Sequence, residues 1–162
     1  GGTGRALTSR VRGGLVPHVT RARTVGATLE QVWELVSDPF HLPRWWPATA
    51  RVEDVEDDAW TSVLKTPSGK TVRADFTRVE RRPRRMVAWR QELEESPFER
   101  VVSSADTKVE LDEKGGDATR VALTSEERLR GRYRLGGWVV RRAARRRLDE
   151  ALDGIERAVA PE

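Results

Sequence analysis

Apolar residues recur at helical spacing near the start of the chain and alternate with polar residues through its middle. Leu29, Val32, Trp33 and Val36 fall on one face of a helix over residues 27–37. Thr28 stands directly before Leu29, and the Thr28-x-x-Gln31 spacing fits a capping box, in which each of the two side chains bonds to the backbone of the other residue. The pattern therefore predicts a short amphipathic helix that begins after Thr28.

Most of the remaining chain reads as β-strand separated by turn residues. The turn signals are clearest at 66–69, which reads Thr-Pro-Ser-Gly, and at 112–117, which contains Gly-Gly. Short connections of this kind favour an antiparallel meander. The predicted strands are 19–25, 51–56, 60–65, 71–80, 84–93, 99–111 and 118–129.

The chain closes with a helical pattern over residues 135–158, whose first turn is weakened by Gly136 and Gly137. A helix of this length spans about 36 Å, enough to cover one face of the sheet. Leu148, Leu152 and Ile155 share the face expected to pack there. The predicted fold class is α+β: a seven-stranded curved antiparallel sheet wrapped around a long C-terminal helix, with two short helices between strands one and two.

Residues 38–47 read DPFHLPRWWP and follow the first helix. Asp38 is expected to cap the turn, and the three prolines prevent a long helix. Tryptophan buries a large surface and usually needs a partner for its indole N–H. We expect one of the adjacent Trp45 and Trp46 rings to lie in the core and the other to reach a cavity.

Length and composition bound the remaining possibilities. The 162 residues fit one domain, assigned to 17–160, and residues 1–16 read as a flexible leader without the apolar segment of a secretory signal. No cysteine is present, so disulfides and thiolate chemistry are excluded. A cytoplasmic location is expected by default, and a monomer or weak dimer is expected as the oligomeric state. No apolar run approaches the roughly 20 residues that span a bilayer.

Several of these residues together resemble the START-like (SRPBCC) superfamily, in its polyketide cyclase/dehydrase and lipid-transport branch. The resemblance rests on Val32-Trp33, Asp38-Pro39, the Arg44-Trp-Trp-Pro47 run and the helical pattern from Leu135, and it covers roughly residues 17–158. It implies the helix-grip fold, with a ligand cavity between the sheet and the terminal helix.

The strands mix small, hydroxylated and large aromatic side chains, such as Ser62, Ala74 and Thr107 beside Trp60 and Trp89. This mixture suits a cavity with an apolar wall; the alternative is a close-packed core with the hydroxyls facing solvent. The resemblance favours the cavity. The expected lining is Trp46, Trp60, Phe76, Trp89 and Trp138, with Arg141 at one end.

Arg141 shares the sheet-facing side of the terminal helix, where a buried arginine needs a carboxylate or a ligand anion. A side chain that extends to solvent, or an internal partner such as Glu92 or Glu127, remains the alternative. The chain holds no acidic residue between Arg128 and Leu148 but many arginines. Of these arginines, we expect three to point outward: Arg142, Arg146 and Arg147.

That basic run raises the question of a polyanionic partner in a chain of net charge +4. A solvated helix face is one interpretation, and a surface for anionic lipid headgroups or another acidic partner is the other. Nucleic acid is disfavoured because no RNA-binding motif or interleaved aromatic platform accompanies the arginines.

The sequence favours binding or transport of a small hydrophobic molecule such as a lipid, polyketide or isoprenoid-like compound. The alternatives are a polyketide cyclase or aromatase, and an interaction protein that uses the arginines of 128–147. No catalytic residue, cofactor or metal is predicted, because His18 and His41 are isolated and no acidic cluster has metal-ligand spacing.

Overall fold

A computed structural model describes residues 18–161. The expected leader, 1–16, lies outside the described residues. One antiparallel sheet and one long helix form the body of the molecule. Its strands are β1 (His18–Val25), β2 (Thr49–Glu53), β3 (Ala59–Lys65), β4 (Thr71–Arg82), β5 (Met86–Glu92), β6 (Val102–Glu113) and β7 (Thr119–Leu129). Its α-helices are α1 (Leu29–Ser37), α2 (Leu42–Trp45) and α3 (Gly137–Val159), with 3-10 turns at Pro39–His41 and Gly131–Gly136.

The seven strands form a single sheet in the order β1-β7-β6-β5-β4-β3-β2. Strands β2 to β7 are joined in sequence by short connections and therefore lie side by side. The α1–α2 segment carries the chain from β1 at one edge to β2 at the other. The antiparallel meander and the two short helices after the first strand confirm the predicted fold class.

Helix α1 begins as its sequence predicts. Gln31 N donates to Thr28 Oγ1 at 3.2 Å, and Thr28 N donates to Gln31 Oε1 at 2.9 Å, which completes the capping box. Asp38 then accepts a hydrogen bond from Phe40 N at 3.0 Å and caps the following turn. These local bonds fix the direction in which Trp45 and Trp46 enter the molecule.

Helix α3 lies across the concave face of the sheet. Leu148, Ala151, Leu152 and Ile155 are each at most 1% exposed, so the predicted apolar face is the buried one. The helix begins at Gly137, two residues later than expected, because residues 131–136 form the preceding 3-10 turn.

Helices α2 and α3 approach each other closely at Gly154. A Cβ placed on Gly154 would lie 2.3 Å from the Trp45 carbonyl oxygen and 2.8 Å from Trp45 Cα. Only a residue without a side chain permits this contact between the two backbones. The contact fixes α2, and with it Trp46, against the middle of the sheet.

Candidate functional site

A cavity of about 250 Å³ lies between the sheet and the two helices α2 and α3. This volume is close to the lower end of the roughly 300–1,000 Å³ typical of small-molecule sites. Strands β3 to β7 supply most of the wall, α2 closes one side with Leu42 and Trp46, and α3 contributes Arg147. Phe98, in the connection between β5 and β6, also lines the cavity.

The apolar wall of the cavity is built on a cluster of aromatic rings. Trp89 lies at the centre of the cluster, with edge contacts to Trp46 and Trp60 at centroid distances of 5.7 and 6.1 Å. Phe76 stacks on Trp60 at 5.7 Å, as expected for cross-strand partners on one face of β3 and β4. Edge and offset contacts of this kind are the preferred arrangements of aromatic rings, so the wall is rigid.

Trp45 and Trp46 divide between core and cavity. Trp45 is 2% exposed and packs in the core, with its ring 5.4 Å from that of Trp46. Trp46, at the end of α2, lines the cavity. Because the two residues are adjacent, the Gly154 contact that holds the Trp45 backbone also places the Trp46 ring.

Hydroxyl groups form a polar strip on the same face of the sheet, beside the aromatic cluster. Trp89, Thr107 and Ser125 are neighbours in register across β5, β6 and β7, and all three line the cavity. Two residues further along β7, and therefore on the same face, Glu127 stands beside Ala105 of β6. The small Ala105 side chain leaves the Glu127 carboxylate open to the cavity.

The Arg147 side chain extends from α3 to this polar strip. Among the described residues that line the cavity, Arg147 is the only cationic one. Its Nη2 donates to Glu127 Oε1 at 2.5 Å and to Ser125 Oγ at 3.3 Å. The Glu127 side chain is 19% exposed and that of Arg147 is 36% exposed, so the pair lies at the cavity rim. This arrangement contradicts the expectation that Arg147 points outward. The side chain starts beside the buried face of α3 and is long enough to extend along it to Glu127.

Asp106 of β6 lies between the inward-facing Ala105 and Thr107, so its side chain points to the opposite face of the sheet, where it pairs with Arg90. Arg90 Nε donates to Asp106 Oδ1 at 2.8 Å, and Arg90 Nη2 donates to Oδ2 at 3.3 Å. The hydrogen bond and the negative charge of Asp106 raise the pKa of Arg90. Among the described lining residues, Glu127 is thus the acidic side chain that faces the cavity, and Arg147 compensates its charge.

The structure brings four of the six expected lining residues together at the cavity: Trp46, Trp60, Phe76 and Trp89. Trp138 is 62% exposed and does not line it, because its position in the first turn of α3 faces solvent. Arg141 does face the sheet. It borders a neighbouring space of about 10 Å³, no larger than a single water molecule, whose lining also includes Ser125 and Glu127. Arg147 therefore occupies the place at the cavity that was expected of Arg141.

Sequence reasoning missed Arg147, Glu127, Asp106, Gln91 and Phe98 as lining residues. One signal was available for Glu127. The inward positions of β7 alternate as Val121, Leu123, Ser125, Glu127 and Leu129, so a hydroxyl and a carboxylate interrupt an otherwise apolar face. Polar groups on the buried side of a strand indicate either an internal pair or a ligand.

The histidines and acidic residues form no further site among residues 18–161. His18 is exposed, and His41 Nδ1 lies 3.0 Å from the Glu34 carbonyl oxygen in the turn after α1. Within the described residues, no three histidine, aspartate or glutamate side chains are placed to hold a metal ion. None of the described helices is long and apolar enough to cross a membrane.

A curved sheet that grips a long helix over an aromatic-lined cavity defines the helix-grip architecture of the START-like superfamily. The chain belongs to the polyketide cyclase/dehydrase and lipid transport family, whose model matches residues 16–160. No curated protein matches the chain.

Solved structures share this architecture at low sequence identity. A START superfamily protein from Mycobacterium smegmatis is 14% identical with a TM-score of 0.73, over 88% of this chain and 96% of that one. The Zhui aromatase/cyclase from Streptomyces sp. R1128 is 22% identical with a TM-score of 0.63, over 88% and 90% of the two chains. The di-domain aromatase/cyclase StfQ of the steffimycin pathway is 12% identical with a TM-score of 0.71, over 90% of this chain and 51% of its own. At such identities the likeness establishes the fold.

Proposed function

We propose that this protein binds or carries a small hydrophobic molecule in the cavity between the sheet and α3. The observation that carries the proposal is the aromatic wall formed by Trp46, Trp60, Phe76 and Trp89 around a space of about 250 Å³. Removing apolar ligand surface from water there supplies the binding energy, about 25 cal/mol per Å² buried. A lipid, polyketide or isoprenoid-like compound would fit if its enclosed part is compact. A cytoplasmic location remains a prediction.

Titration with decalin, a compact apolar bicycle that is transparent where tryptophan absorbs, tests this proposal. We expect a saturable change in tryptophan emission, because three of the indole rings line the cavity. Ala105→Phe places a ring inside the cavity and should abolish the change. Glu110→Phe adds the same ring at an exposed position of β6 and should preserve it.

An unchanged emission of the unmodified protein at saturating decalin would contradict the proposal and favour a closed core. Native mass spectrometry of gently purified protein is an independent test, and it would identify the natural ligand if one copurifies. A molecule retained by the unmodified protein and lost from Ala105→Phe would be bound in this cavity.

Cyclase or aromatase activity is a second candidate, because the Glu127 carboxylate lines the cavity. General acid–base chemistry needs such groups within hydrogen-bond reach of the substrate. Incubation with a poly-β-ketone thioester, followed by mass spectrometry of the products, tests it. Product formation equal to that of the Glu127→Gln variant would exclude this carboxylate as a catalyst.

An interaction with an anionic membrane or another acidic partner through α3 remains a separate hypothesis. Arg142 and Arg146 are exposed on the outer side of the helix, where Arg146 forms only a surface pair with Glu150 at 3.2 Å. Arg147 cannot belong to that surface while it bonds to Glu127 at the cavity.

A further inference from the structure

The polar end of the cavity has a charge arrangement that discriminates among ligands. Glu127 and Arg147 neutralise each other at 2.5 Å. A ligand that enters the cavity therefore meets no uncompensated positive charge.

An anionic ligand group would have to compete with Glu127 for Arg147. If it succeeded, the Glu127 carboxylate would lie beside the incoming anion without its partner, and removing one member of a partly buried ion pair is costly. The arrangement thus disfavours carboxylates, although an arginine lines the cavity.

A neutral hydroxyl group meets the opposite situation. Arg147 bonds to Ser125 and Glu127 through Nη2, and within the described part of the chain the N–H groups on Nε and Nη1 remain available as donors. Glu127 bonds to Arg147 through Oε1, so Oε2 can accept. A hydroxyl can donate to Oε2 and accept from the guanidinium at the same time, so the ion pair stays intact. Hydrogen bonds to charged groups are also the stronger kind.

We infer that Glu127, Arg147 and Ser125 form a hydroxyl-recognition group, which selects apolar ligands with an alcohol or phenol and rejects those with a carboxylate. The inference rests on the proposed function and specifies the ligand class of the same cavity. Glu127 is the specificity-determining residue, because its charge cancels the attraction that Arg147 would otherwise exert on anions.

Three probes of the same shape test this selectivity: decalin, decalol and decalin carboxylate. All are transparent where tryptophan absorbs, so emission reports on each of them. The unmodified protein should bind decalol at least about tenfold more tightly than decalin carboxylate, the factor expected for one hydrogen bond to a charged group.

Glu127→Gln should invert this preference, because the Arg147 charge is then free to pair with a carboxylate. Decalin carboxylate should gain about tenfold in affinity, decalol should lose affinity, and decalin should be unaffected. Glu126→Gln is the matched control, since it removes the neighbouring carboxylate of β7 at an exposed position. It should leave the order of the three probes unchanged.

Arg147→Met and Arg141→Met separate the two inward-facing arginines of α3. Arg147→Met should weaken decalol more than Arg141→Met does, because Arg147 lines the cavity and bonds to Glu127 and Ser125, whereas Arg141 borders only a small neighbouring space. Thermal melts of every variant, read together with decalin binding, identify any loss that comes from unfolding.

The inference is overturned if decalin binds but decalin carboxylate binds the unmodified protein as tightly as decalol. It also fails if Glu127→Gln, still folded and still binding decalin, keeps the original ratio. Failure of all three probes to bind would instead overturn the proposed function and remove this inference with it.

Discussion

Single residues determine how closely the elements of this protein approach one another, and Gly154 shows this most clearly. Its missing side chain lets the backbone of α2 lie against α3, with the Trp45 carbonyl oxygen where a Cβ would be. The atoms in conflict are backbone atoms, so no rotamer change can relieve the overlap. The position thus joins the packing of α3 to the placement of Trp46 at the cavity.

Gly154→Ala should lower the free energy of unfolding by about 1–3 kcal/mol, the range for overpacking a tight core. Alanine normally stabilises a helix by about 1 kcal/mol relative to glycine, but here the collision outweighs that gain. The measurement is denaturant unfolding. Because α2 must shift, decalin binding should weaken as well.

Gly137→Ala is the control for this prediction, since a Cβ there would meet only Arg141 Nη1 at 3.6 Å, an ordinary contact distance. It should be neutral or stabilising. If Gly154→Ala were stabilising too, the close approach of α2 and α3 described above would be wrong.

At the scale of an element, α3 has two faces with different properties. Its inner face carries Leu148, Leu152 and Ile155, all almost fully buried. Its outer face carries Arg142, Arg145 and Arg146, all exposed. Arg147 lies between the two faces and belongs functionally to the inner one. A test of the outer face must therefore leave Arg147 unchanged.

Replacing Arg142 and Arg146 by Gln should weaken adsorption to phosphatidylglycerol vesicles at low salt if the outer face meets anionic membranes. Each arginine near such a surface contributes about 1 kcal/mol, so the double change should cost about thirtyfold in affinity. Vesicle cosedimentation measures it, and raising the salt should reduce the difference.

Lys65→Gln together with Lys70→Gln removes the same charge from the exposed β3–β4 hairpin. This control should lose much less affinity if α3 is the docking element. Equal losses from the two double variants would show that net charge alone attracts the protein to vesicles, and no loss in either would exclude the membrane hypothesis for this face.

For the whole molecule, the sequence was sufficient wherever structure depends on neighbours along the chain. The capping box at Thr28 and Gln31 and the Asp38 cap involve residues two or three positions apart, and both form as predicted. The alternation of inward and outward side chains in the strands depends only on the two-residue period of a β-strand, and the apolar face of α3 depends only on the 3.6-residue period of an α-helix. The order of elements then followed from short connections.

The cavity wall was predictable in part for the same reason. Trp60, Phe76 and Trp89 occupy inward positions of predicted strands, and large aromatic rings dominate any buried space they reach. Trp46 was identifiable from its rigid Pro-rich turn. Phe98 was missed because it lies in a connection whose path over the sheet has no periodic signal.

The charged end of the cavity was decided by tertiary structure alone. Helical periodicity gives the direction in which a Cβ points, and by that criterion Arg141 is the inward arginine. Periodicity does not show how far the long Arg147 side chain extends. It also does not show that the fold places Glu127 of β7, 20 positions earlier in the chain, within hydrogen-bond distance. The sequence by itself determined the elements, their order and the aromatic members of the core, because these depend on local periodicity and turn chemistry. Only the fold decided which carboxylate meets which guanidinium, because that depends on distances between elements far apart in the chain.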